Sequence, residues 1–111
     1  GMDEISPFAK TNIVELKDKK INEFTIDPKD LGINSRNKDN LKGKNAEYNA
    51  EKIIEIYKGK SNEFSQSVAL NVAAGLIVSG SENNFKTAFD KASKHLASGN
   101  VFQHLSKLQS I

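Results

Sequence analysis

Residues 68–78, Val-Ala-Leu-Asn-Val-Ala-Ala-Gly-Leu-Ile-Val, carry no charge, and Asn71 is their one polar side chain. At helical pitch such a segment shows apolar groups to every side, so something must cover it all round. That demand puts the helix expected over residues 64–78 at the centre of the core, with Gly80 ending it in the left-handed conformation. The run falls short of the ~18 apolar residues that would suggest a membrane span. No basic segment followed by an apolar one marks a secretory signal, so the expected setting is cytoplasmic.

Other helices gather around this one. Ala46, Ala50, Ile53, Ile54 and Tyr57 make one stripe at helical spacing, ended by Gly59. Phe85, Ala88, Phe89, Ala92 and Leu96 make another, opened by Asn83 or Asn84 and closed by Gly99. Asn100 is placed to cap a last short helix with Val101, Leu105 and Leu108. Before Asn45 the texture changes. Ile13 to Lys17 and Ile21 to Ile26 are β-branched, partly alternating runs around Asp18-Lys19-Lys20, a hairpin signal without a glycine in its turn. Asp27-Pro28 reads as cap and first residue of a short helical turn stopped by Gly32. Residues 33–44 read as a polar loop, and Val14, Leu16, Phe24 and Ile26 as the apolar face of the hairpin. The expected fold is α+β: a β-hairpin followed by about four helices, with residues 1–44 and 45–111 as two parts of a single partial domain. A lone hairpin is marginal in water, so it either packs on the helices or belongs to a larger sheet.

The chain's 111 residues contain no cysteine, which excludes disulfides, thiolate metal sites and cysteine nucleophiles. Net charge is +2 and lysines interleave with acids, a solvated surface rather than a nucleic-acid stripe. Lysine outnumbers arginine 15 to 1, and Lys, Asn and Ile together fill 37 positions, a bias that fits AT-rich codons. His95 and His104 fall on separate expected helices with no acid-plus-nucleophile constellation beside them. Arg36, Lys38, Lys42 and Lys44 read as a solvated basic loop. Asn49 and Asn71 lie among apolar residues and are expected to satisfy nearby backbone. No catalytic residue and no organic-cofactor residue stands out. One pair does carry chemistry: Asp3 and Glu4 offer adjacent hard oxygen donors, the type that Mg²⁺ takes together with substrate phosphates.

The residues around that pair resemble a known family in register. Asp3-Glu4-Ile5-Ser6 is similar to the D-E-[IL]-S segment of the anthranilate phosphoribosyltransferases. Val14-Glu15-Leu16-Lys17-Asp18 resembles their V-x-E-L-x-[DN] strand and turn, and Phe24 to Gly32 resembles Y-T-[LI]-x-P-E-D-[FL]-G. Leu41-Lys42-Gly43 with Ala46 and Asn49-Ala50 looks like L-x-G-G-x-A-x-x-N-A. The apolar helix is similar to N-A-A-x-x-L-x-x-x-G, and Ala92, Ser98-Gly99 and Leu105 to A-x-x-x-I-x-S-G-x-A-x-x-x-L. The likeness runs the length of the chain but corresponds to the family's C-terminal portion. Departures are Lys19 for the glycine of an Asp-Gly turn, Lys44 for the second glycine of a pair, and Tyr48 for an acid.

The resemblance implies a segment of a larger α/β transferase domain. The family moves the 5-phosphoribosyl group from phosphoribosyl pyrophosphate to anthranilate, with Mg²⁺, in tryptophan biosynthesis. Its G-T-G-G-D loop and K-H-G-N segment do not occur in this sequence, where no two glycines lie two residues apart. The one element carried over is Asp3 and Glu4, matching the family's metal-binding acidic pair. The chain alone is therefore expected to be inactive and to bind Mg²⁺ weakly, its acidic pair sitting on a frayed terminus. Its open hairpin edge is expected to favour a homo-oligomer. The rival reading is a non-enzymatic interaction module, or a degenerate remnant of the fold.

Overall fold

The computed structural model describes residues 2–35 and 37–111. Two antiparallel strands, β1 (Thr11–Lys17) and β2 (Lys20–Ile26), precede four helices: α1 (Ala46–Tyr57), α2 (Glu63–Val78), α3 (Phe85–Ala97) and α4 (Asn100–Gln109). Single 3-10 turns occupy Pro28–Leu31 and Lys38–Leu41. The architecture is the α+β arrangement expected from the sequence. Asparagine opens three of the helices: the side chains of Asn45, Asn62 and Asn84 accept from the backbone N–H of Tyr48, Ser65 and Thr87. Asn62 and Ser65 bond reciprocally, which fixes the start of α2. Gly59, Gly80 and Gly99 follow the ends of α1, α2 and α3 at positive φ. Of these, Gly59 is the most tightly held, because a Cβ there would lie 2.5 Å from the Ala97 carbonyl oxygen.

The core forms where α2 packs along α3 and the N-terminal half folds over them. Leu70, Ala73 and Ala88 are fully enclosed, joined by Ala69, Phe89 and Ala92. Ile5, Ile26 and Ile33 complete the cluster, so the hairpin half and the helical half share one core. Ile33 corrects the reading of residues 33–44 as a polar loop. Gly32, at φ 78°, turns the chain inward, and the Ile33 N–H donates to the Pro28 carbonyl at 3.0 Å.

Four other expectations are corrected. The buried residue of α1 is Ile56, which lies outside the expected stripe, while Ala46, Ala50 and Ile53 are exposed and Ile54 and Tyr57 half-buried. Helix α2 is central but not covered all round, with Val72 46% and Val78 88% exposed. The four residues expected as one hairpin face lie on two. Register pairs Ile13 with Phe24 and Thr11 with Ile26 on the side facing the helices, whereas Val14 and Leu16, the latter opposite Ile21, point away. Lastly, Gly99 precedes α4 and Asn100 is its first residue, with no side-chain cap.

Candidate metal centre

Asp3 and Glu4 lie on an exposed bend directly before the first anchored residue of the chain. Ile5 is buried, and its N–H donates to Asn71 Oδ1 at 3.0 Å. The same amide donates from Nδ2 to the Ser67 carbonyl at 2.9 Å and to the Ile5 carbonyl at 3.5 Å. Asn71 thus holds both backbone groups of a residue 66 positions away, from the middle of the apolar helix. The bond from the Ile5 N–H is the main tie between the two segments, because Nδ2 sits closer to the Ser67 carbonyl than to that of Ile5. Beyond Ile5, the Ser6 N–H donates to Thr11 Oγ1, Ser6 Oγ accepts from Phe8 and Ala9, and Pro7 is fully enclosed.

These bonds fix the segment following the acidic pair to α2 and to the start of β1, while Asp3 and Glu4 themselves stay exposed. Two adjacent carboxylates on a fixed base, open to solvent, suit a hard cation that keeps several waters and takes its remaining oxygens from a phosphate. Among the described residues, no group of three or more His, Asp or Glu side chains gathers to hold a metal without help.

The other candidates resolve into surface and scaffold. His95 is exposed in the last turn of α3, and His104 is exposed on α4. Of the basic loop, Lys42 pairs with Asp39 at 2.6 Å, and Lys44 lies 4.7 Å from the centre of the Tyr48 ring. Arg36 lies outside the described residues. Asn49 behaves as expected of a structural amide, accepting from the Lys44 N–H at 2.9 Å. What sequence reasoning missed was the partner of Asn71, since nothing local to position 71 points to Ile5. The available signal was a single amide in an otherwise apolar helix, which demands a specific bond.

A hairpin thus leads into a layer of helices around one apolar helix, with an acidic pair on the entering segment. A family model described as "Glycosyl transferase family, a/b domain" matches residues 1–102, and the chain belongs to that family. Within it, the chain is similar to anthranilate phosphoribosyltransferases. It is 47% identical over 111 residues to the one from Pelagibacter ubique, covering 100% of this chain and 34% of that protein. It is 36% identical over 110 residues to the Idiomarina loihiensis protein, covering 98% and 33% respectively. The crystal structure of the anthranilate phosphoribosyltransferase from Thermus thermophilus superposes with a TM-score of 0.86 at 26% identity, over 96% of this chain and 32% of that one. The chain therefore spans about a third of the length of the relatives it matches.

Proposed function

We propose that the chain is the C-terminal third of an anthranilate phosphoribosyltransferase, a cytoplasmic enzyme of tryptophan biosynthesis. The observation that carries this reading is the 47% identity to the Pelagibacter ubique enzyme, sustained over every residue of the chain. In the reaction, the amino group of anthranilate attacks the anomeric carbon of phosphoribosyl pyrophosphate as the bond to pyrophosphate breaks. Asp3 and Glu4 would hold Mg²⁺, which supplies compensation for the charge gathering on the departing pyrophosphate. Asn71 is a positioning residue: by fixing Ile5 it fixes the direction from which both carboxylates approach. The family's G-T-G-G-D loop and K-H-G-N segment, which do not occur in this sequence, would be supplied by the rest of the enzyme.

The test is a graft. This chain replaces the matching third of the Pelagibacter ubique enzyme, and anthranilate fluorescence is followed with phosphoribosyl pyrophosphate and Mg²⁺. The graft should consume anthranilate, while the 111-residue chain alone should leave the signal flat. Asp3→Asn and Glu4→Gln in the graft should each raise the Mg²⁺ concentration needed for half-maximal rate. A folded graft without turnover would overturn the reading.

A further inference from the structure

Three segments ahead of α1 meet around a cavity of about 410 Å³, a size within the range of small-molecule sites. They are the loop after Ser6, the turn that begins at Asp27, and the stretch carrying Ile33, Ser35 and Lys38. The apolar side of the cavity comes from Pro7 and Ile33, both buried, and from the half-buried Phe8. Backbone bonds pin these segments. Ser6 Oγ accepts from the N–H groups of Phe8 and Ala9, and the Ile33 N–H donates to the Pro28 carbonyl. A cavity held in this way is formed before a ligand arrives, so binding orders little additional chain.

Charge decides what such a cavity takes. Lys10, Lys29 and Lys38 line it, and among the described residues Asp27 is its one acid. Both carboxylate oxygens of Asp27 are engaged, Oδ1 by the Lys29 backbone N–H at 3.0 Å and Oδ2 by Lys10 Nζ at 3.6 Å. Among the described residues, neither the Lys29 nor the Lys38 ammonium group has an ion-pair partner. Three lysines against one aspartate leave the lining with a surplus of two positive charges. Ammonium groups around one hollow repel each other, and an anion between them removes that repulsion. A phosphate monoester carries a charge of about −1.5 to −2 at pH 7 and three acceptor oxygens, which matches the surplus. A carboxylate, with a single charge, leaves about half of it unbalanced. We propose that this cavity binds a small organic phosphate monoester, with its phosphate held by Lys29 and Lys38 and its apolar part against Phe8 and Ile33. Neither Asp3 nor Glu4 lines the cavity, so the site uses residues to which the transferase reading gives no task and stands independently of that reading.

The 111-residue chain itself is the reagent, because it contains no G-T-G-G-D loop to bind phosphate elsewhere. Phenyl phosphate is titrated into the ¹⁵N-labelled chain without divalent cations, and the amide shifts of Phe8, Lys29, Ile33 and Lys38 are followed. These amides should move saturably, with an affinity that falls as salt is raised. Inorganic phosphate, which lacks the apolar part, and benzoate, which lacks the second charge, should each bind about fivefold more weakly or worse. Equal or tighter binding of either would overturn the assignment to a phosphate ester. Lys29→Gln together with Lys38→Gln should weaken phenyl phosphate binding roughly tenfold. Both lysines are exposed, so the doubly substituted chain should keep its amide spectrum outside the cavity. Phe8→Ala should bring phenyl phosphate down to the affinity of inorganic phosphate. No saturable shift at the four amides, or an affinity indifferent to loss of both lysines, would refute the site and leave the transferase reading untouched.

Discussion

Asp18 and Lys19 form the two-residue turn between β1 and β2, at φ of 51° and 63°. Such a turn follows the twist of the strands, but its positive φ values suit glycine best. Aspartate tolerates that region and lysine less so, which makes Lys19 the strained position. Lys19→Gly should therefore stabilise the chain by about 0.5–1 kcal/mol, read as a raised urea midpoint; an unchanged or lowered midpoint would count against strain there. A second residue ties the loop ahead of α1 to α2. Asn40 Nδ2 donates to Glu63 Oε1 at 2.9 Å. That bond, then the backbone N–H of Glu63 and the Ser35 hydroxyl, hold the Glu63 carboxyl below its usual range. A carboxyl depressed in the folded state stabilises fully above its unfolded pKa, and the stabilisation fades as pH falls through the folded value. The difference in urea midpoint between the unsubstituted chain and Glu63→Gln should accordingly shrink as pH drops below about 4.

At the scale of elements, α2 separates residues that the core needs from residues it does not. Leu70 is 0% exposed among Ala69, Ala73, Ala88 and Phe89, so Leu70→Ala should cost about 2–5 kcal/mol through the cavity it leaves. Val72→Ala, two residues on and half exposed, should cost under about 1 kcal/mol. Equal urea midpoints for the two would show that α2 is not central. The existence and order of the elements were legible because their signals are local: asparagine caps, terminal glycines and helical stripes. Which face turns inward was less so. Helix α2 looked buried on every side because residue chemistry records every neighbour the helix evolved against, including any outside this chain. In β1 and β2, counting apolar residues merged two faces that strand register separates, since Val14 and Ile13 must point opposite ways. The acidic pair was readable from adjacent residue types and from resemblance. The bond of Asn71 to Ile5, the residue after the pair, was not, because that contact is not local.

The whole molecule is looser than its length requires, with a radius of gyration of 14.9 Å, where a compact chain of this size has about 13 Å. Part of that looseness is the hairpin. It stands as a two-stranded sheet, with Leu16 74% and Ile21 69% exposed on its outer side. The 111-residue chain on its own should self-associate through this element, its mass by light scattering rising with concentration. Replacing both outer residues, Leu16→Lys with Ile21→Glu, should hold it monomeric. A mass independent of concentration in the unsubstituted chain would show the hairpin to be content alone. The clamp of Asn71 on Ile5 also sets an order in time. Closing a loop between residues 5 and 71 is a long-range event that carries an entropic cost before any contact repays it. During synthesis, Asp3 and Glu4 leave the ribosome well before α2 exists to receive their segment. Ile5, made near the start of this chain, thus waits for a partner 66 positions later before its backbone groups are bonded.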